Sequence, residues 1–281
     1  MMRRPTVYGS ISLLFLASCA VIAVAQRGGW RGDRGWGGDS RRGVPTWNID
    51  PRFLPDTFTF ARVRFDSKGY RDKWATDYPD SDLNFSLRLQ QLTALKVNPN
   101  PVIVDLSDDE LLEYPFIYMI EPGDIVLRDD EVRGLRRYLL NGGFMMVDDF
   151  WGDVEYASLR RELKKVFPDR EAVEVPLEHE IFQCVYPLQE KPQVPSIHAA
   201  GRYAYDGQIQ TWEPRYGSDT TRAIYRAIFD DNQRIMVFIC HNTDLGDGWE
   251  REGENKWYFE EFSVKKAYPM GINIVTYAMT H

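Results

Sequence analysis

The chain has 281 residues, of which 43% are hydrophobic, 27% charged and 14% aromatic. That balance excludes collagen, a long coiled coil, a multi-span membrane protein and a wholly disordered chain, and the length suits one large domain or two small ones. The net charge of −8 is uneven: residues 1–43 carry seven arginines against two aspartates, leaving 27 basic against 40 acidic residues from Val44 onward. Nucleic-acid binding draws on Lys and Arg that neutralise phosphates, so a body this acidic is not expected to take nucleic acid as a partner.

In chain order, the N-terminus reads as an export signal. Arg3 and Arg4 form a positive n-region, Ile11–Val24 is apolar, and Ala23-Val24-Ala25 supplies an A-x-A cleavage site before Gln26. A retained anchor over residues 7–25 is the other reading, and Leu16-Ala17-Ser18-Cys19 looks like a lipoprotein box, although apolar residues continue after Cys19. With residues 1–25 as a cleaved signal peptide, the protein is expected to be exported, periplasmic or extracellular, touching a membrane only through an uncleaved N-terminal segment. Residues 26–52 are a Gly/Arg-rich linker expected to be disordered, and 53–281 form the folded domain.

Phe58–Phe65 alternates apolar and polar residues, as a strand does. Ser81 is placed to cap a helix whose Leu83, Leu87, Gln91 and Leu95 stack at i, i+4 spacing. Pro101–Leu106 and Phe116–Ile120 are short apolar runs typical of strands covered on both faces. A helix over Asp129–Leu140 turns Val132, Leu135 and Leu139 inward and stops at Asn141-Gly142-Gly143. Phe144–Asp149 is the next strand, and Asp153 caps a helix running to Val166. Strand and helix alternating at this spacing predict a three-layer αβα sandwich with a mostly parallel sheet. Beyond Pro168 the pattern becomes β-rich: Ile181–Tyr186 and Ile197–Tyr205 read as β segments, and Arg222–Phe229 and Arg234–Cys240 flank a four-residue hairpin loop. A last helix opens at Pro269 and buries Ile272, Val275 and Met279.

Three stretches together carry a family resemblance: Tyr114-Pro115-Phe116-Ile117-Tyr118-Met119, the Gly142-Gly143-Phe-x-x-x-Asp148-Asp149 junction, and Gly271-Ile272-Asn273-Ile274-Val275. From about Phe58 to His281 the chain resembles the bacterial domain of unknown function 4159. That family looks like a branch of the class I glutamine amidotransferase-like fold, which implies a flavodoxin-like sandwich and no established activity. Amidotransferases of this fold keep a cysteine at the tight turn after a strand, with a downstream histidine as base. Here the corresponding turn carries Asp149, and a carboxylate does not replace a thiolate in amide cleavage without changing the intermediate.

Ligands of open α/β sheets bind beyond the carboxyl ends of the strands, where Asp105, Glu121, Asp149, Trp151 and His241 are expected. Asp149 has two structural alternatives, capping near Asp153 or a salt bridge to an arginine such as Arg64. The loop His241–Glu250 supplies a further wall, with Asp244 as a ligand group and Trp249 as a stacking face or a buried plug. Its carboxylates suggest calcium, but their spacing misses the EF-hand pattern, and no metal or cofactor is assigned. His179, in Pro-Leu-Glu-His-Glu-Ile-Phe, resembles a segment of trehalose-utilisation-type members of the fold. Cys240-His241 is not read as a dyad, because strand neighbours point to opposite faces, and Cys184 and Cys240 are expected as two separate buried thiols. The expected function is ligand binding or scaffolding in the cell envelope. Glu121, Asp149, Trp151, Asp244 and Trp249 would face a carbohydrate or another envelope component. The alternative is a glycan or ester hydrolase using Asp149 with His241 or His179 as acid and base.

Overall fold

The computed structural model describes residues 41–69, 72–200 and 209–281. The expected signal peptide, the linker up to Ser40 and the end of the expected β segment Ile197–Tyr205 lie outside the described residues. The central sheet holds seven strands: β1 (Ala61–Arg64), β2 (Val102–Asp105), β3 (Phe116–Ile120), β4 (Phe144–Phe150), β5 (Val173–Glu174), β6 (Ile224–Phe229) and β7 (Ile235–His241). Their order is β2-β1-β3-β4-β7-β6-β5, and only β6 runs antiparallel to its neighbours. The protein is therefore mixed α/β with a mostly parallel sheet, as the alternating pattern predicts.

β3 and β4 are apolar along most of their length because both sheet faces are covered. Helices α1 (Asp80–Leu92) and α5 (Tyr268–Thr280) bring Phe85, Leu89, Ile272 and Val275 against Phe60, Phe116, Tyr118 and Phe144 on one face. Helices α2 (Asp129–Leu140) and α3 (Gly152–Val166) bring Leu135, Leu139, Leu159 and Leu163 against Val63, Ile117, Met119 and Val147 on the other. After α2 the chain turns through Gly142, whose φ of +102° suits glycine, and a Cβ on Gly143 would stand 2.4 Å from the Tyr138 ring. The loop between β6 and β7 closes as predicted, with Asp230 N–H donating to the Arg234 carbonyl.

Several local expectations change. In α1 the buried positions are Ser81, Asp82, Leu83, Phe85, Ser86 and Leu89, so Leu83 faces inward as expected, whereas Leu87 is half-buried, Gln91 is exposed and Leu95 lies beyond the helix end. Ser81 is not the cap; its hydroxyl accepts from buried Arg62, so a polar pair, invisible to an apolar stripe, sets the helix rotation. Asp153 does not cap α3 either, since Glu155 Oε2 accepts from the Trp151 N–H at 2.8 Å and Asp219 Oδ2 accepts from Asp153 N–H. β2 is the sheet edge, with Ile103 37% exposed, so it is not covered on both faces. Ile181–Tyr186 is no strand: Glu180–Phe182 forms a single 3-10 turn, and Ile197–Ala200 is a helical turn. The final helix is reached through Lys256–Tyr258 and a π-helical stretch, Phe259–Ala267, so the helical run begins well before Pro269. Residues 44–52 lie against the body, not in a free linker: Trp47 Nε1 donates to the Val97 carbonyl at 2.7 Å. Cys240 is buried and Cys184 half-buried, both as free thiols. Among the described residues no helix is long and apolar enough to cross a membrane.

Candidate functional site

The carboxyl edge of the parallel strands is built from an irregularity in β4. Val147 pairs with Ile239 and Phe150 with His241, so Asp148 and Asp149 together oppose the single residue Cys240. This bulge places Asp149 in the left-handed region at φ +52°, at the junction between β4 and α3. Glu121 after β3 (φ +45°) and Asn242 after β7 (φ +61°) do the same on the flanking strands. A non-glycine residue held there costs about 1–3 kcal/mol, and such strain gathers at functional sites. Three adjacent strands therefore end in left-handed residues along one edge of the sheet.

The two aspartates point to different sides. Asp148 keeps the alternation of β4 and points to the face of α1 and α5, where its Oδ2 accepts from Gly246 N–H at 2.9 Å and Tyr118 O–H at 3.1 Å. It is wholly buried, and burial pushes its carboxyl up to about 7 against the pull of these donors. Asp149, the extra residue, is 9% exposed and its Oδ1 accepts from the indole N–H of Trp151 at 3.0 Å. Burial raises its pKa well above the usual range, and the charges of Glu121 and Asp148 raise it further. Neither structural alternative for Asp149 holds among the described residues: Arg64 pairs with Asp105, with Nε donating to Oδ1 at 2.8 Å, Arg215 acts on Asp149 only through its charge, and α3 has no side-chain cap.

Around this turn stand further carboxylates. Asp244 caps helix α4 (Leu245–Glu250), its Oδ1 accepting from Asp247 N–H at 2.7 Å. Asp247 Oδ2 accepts from Ile197 N–H and Tyr258 O–H, and its Oδ1 from Arg251 Nε at 3.0 Å. Asp77 enters from the loop before α1 with φ +60°. Buried Arg62 holds that loop: its guanidinium donates to the carbonyls of Trp74 (3.0 Å) and Thr76 (2.9 Å) while pairing with Asp82. Burial raises the pKa of Asp77, helped by the charges of Asp247, Glu250 and Asp149. Asp244 is raised first by burial and then by Asp149, Asp247 and Asp77. Glu250 is pushed up to about 7 by burial, with Arg251 opposing and Asp247 adding to the rise. Among the described residues, Arg251 lies against Asp247 and Glu250, Lys73 lies 4.0 Å from Glu121 and 3.3 Å from Asp124, and the charge of Arg215 reaches Asp149 and Glu121.

Of the residues singled out from the sequence, the edge brings together Glu121, Asp149, Trp151 and Asp244. It does not bring the histidines. The His241 ring is buried on the α3 face between Phe150 and Tyr156, at centroid distances of 4.9 and 5.2 Å. Arg226 donates to its Nδ1 at 2.8 Å and its Nε2–H donates to the Gly152 carbonyl at 3.0 Å, which fixes the neutral tautomer. Burial depresses its pKa to about 4. His179 lies at the opposite, amino end of the sheet, packed on Phe229 and Tyr277, with Nδ1 accepting from Ile181 N–H. Trp249 is the buried plug, 4.4 Å from the Phe85 ring and 5.7 Å from that of Tyr118. Asp77 was not singled out, because its place at the edge comes from a long-range hold by Arg62; the turn signal Asp77-Tyr78-Pro79-Asp80 was its local trace.

The profile of the family described as Domain of unknown function (DUF4159) matches residues 59–279. The chain belongs to that family. No curated protein matches it.

Proposed function

We propose that this is an exported ligand-binding domain of the cell envelope, built on an amidotransferase-like fold that keeps the strand–helix elbow and lacks the nucleophile. The observation that carries the reading is Asp149 itself: a buried, left-handed carboxylate at the β4–α3 turn, fastened to Trp151, with no imidazole against it. The strand order β2-β1-β3-β4-β7 is flavodoxin-like and reverses between β1 and β3, beside the acidic edge. Cys240 faces the core and Cys184 Sγ donates to the Asn273 carbonyl, so neither thiol takes the elbow's role. Carboxylates that accept hydrogen bonds suit hydroxyl or cationic groups, and a carbohydrate or another polyhydroxy envelope component is the ligand class proposed.

Hydrolysis is the second reading, favoured by one observation. Asp77, Asp149, Asp244, Asp247 and Glu250 gather at one edge, where burial raises Asp149 above the usual range and pushes Glu250 up to about 7, an acid and base supply that needs no histidine. A glycan and ester panel separates the two, read by thermal shift and by turnover on the parent chain and Asp149→Asn. A shift with a panel member that the variant loses, without turnover, supports binding. Turnover that the variant loses at unchanged stability replaces binding with hydrolysis, and neither shift nor turnover removes the ligand proposal. Fractionation of the producing cell tests export, which a cytoplasmic, unprocessed chain would refute.

A further inference from the structure

We infer that Asp77, Asp247 and Glu250 form a binding site for a hard divalent cation between the loop before α1 and helix α4. The inference goes beyond the polyhydroxy-ligand reading and does not depend on it. One carboxylate oxygen from each residue can be chosen so that no two lie more than 4.8 Å apart. Oxygen ligands sit about 2.3–2.6 Å from Ca²⁺, so opposite ligands on one coordination sphere are separated by about that spread. Mg²⁺, at about 2.1 Å, needs a tighter cluster. The donor set is all oxygen, which selects calcium, magnesium or manganese over zinc or copper.

A cluster of acids alone would say little; two oxygens without a donor say more. Among the described residues, neither buried Asp77 Oδ2 nor buried Glu250 Oε2 meets a hydrogen-bond donor. Buried acceptors left without a donor are costly, more so when they are charged. Arg251 does not cure this. Its Nε–H is directed at Asp247 Oδ1, and its 2.8 Å approach to Glu250 Oε2 is an ion contact without a hydrogen bond. That guanidinium is shared between Asp247, Glu250 and Glu254, with the charges of Asp149 and Asp77 near Asp244. Arg62, the cation felt by Asp77, is taken up by Asp82. Gly246 keeps the space open, since a Cβ there would meet Asp77 Oδ2 at 3.0 Å and Tyr118 Oη at 2.7 Å. Asp77 and Glu250 are only half-buried as whole residues, which gives an ion a way in.

The test uses the full chain stripped with EDTA, titrated with CaCl₂, MgCl₂ and MnCl₂ and followed by calorimetry and thermal unfolding. Terbium luminescence, sensitised by nearby Tyr258 or Trp249, reports the same site. Saturable one-to-one binding and a raised melting temperature are expected with calcium. Asp77→Asn and Glu250→Gln should each weaken binding by about tenfold or more, because affinity follows ligand charge. Without metal, the same variants should melt at or above the parent, since each removes a repelling charge. Should Asp77→Asn fail to fold, Glu250→Gln carries the test alone. Asp105→Asn, at the ion pair with Arg64 outside the cluster, should bind as the parent does. The inference is overturned by no saturable binding with any of the three cations up to about 10 mM, beyond the range of weak calcium modules. Binding that survives both substitutions, or a melting temperature that follows pH but not metal, overturns it equally.

Discussion

Asp148→Asn separates a carboxyl's charge from its hydrogen bonds. Asp148 has a folded-state value of about 7 against 3.8 for an ordinary aspartate. Between those values the folded chain keeps a proton that the unfolded chain has released. Stability therefore falls as pH rises from about 4 to about 7, and the whole deficit is present above that. Three pH units at about 1.36 kcal/mol each set a ceiling of about 4 kcal/mol. Asparagine keeps a carbonyl oxygen for Gly246 N–H and Tyr118 O–H and puts an NH₂ where the neutral acid carries its proton. The variant should lie within about 1 kcal/mol of the parent at pH 5 and exceed it by about 2–4 kcal/mol at pH 8. Urea midpoints from pH 5 to 8 in EDTA, with unchanged slopes, measure this. A variant less stable than the parent at pH 8, or a gap that does not change with pH, refutes the reasoning.

His241 titrates in the other direction. Its pKa is depressed to about 4 from 6.5, so the stability it contributes is present above 6.5 and lost as pH falls toward 4, where only the unfolded chain is protonated. The slope opposes that of Asp148 over the same window. Nitrogen NMR should find His241 neutral, protonated at Nε2, down to about pH 4; a midpoint near 6.5 would contradict the buried geometry. Gly134→Ala should cost about 1–3 kcal/mol or more, because the added Cβ would stand 1.9 Å from the Leu106 carbonyl oxygen. A neutral effect in urea unfolding would show that α2 can move away from β2. Burial raises the pKa of both body thiols, so Cys240 should resist a thiol reagent until unfolding and Cys184 react slowly; a Cys184–Cys240 disulfide found by peptide mapping would refute this.

Elements whose cause is local were legible. Phe116–Ile120 is a strand because nothing in it tolerates water, and Gly142-Gly143 ends α2 because the turn needs φ above zero and a bare Cα beside Tyr138. The hairpin over Asp230–Gln233 announced itself through its polar loop. Elements fixed by distant partners were not legible. The rotation of α1 depends on Arg62 reaching Asp82 and Ser81 inside the core, which an apolar count treats as exposed positions. The 3-10 turn at Glu180–Phe182 replaced an expected strand because its N–H groups are met by His179 and its own backbone, not by a neighbouring strand.

The sequence by itself determined an acidic α/β chain with a carboxylate at the end of its central strand, because hydrophobic period and turn chemistry act over a few residues. Tertiary structure alone decided which carboxylates meet. Strand alternation already sets Asp148 and Asp149 on different sides, but it was Arg62 that held the loop bringing Asp77 to Asp247 and Glu250, residues remote from it in sequence. Packing also turned His241 inward to Arg226 and the Gly152 carbonyl. Such encounters arise from packing between segments remote in sequence, and no local pattern records them.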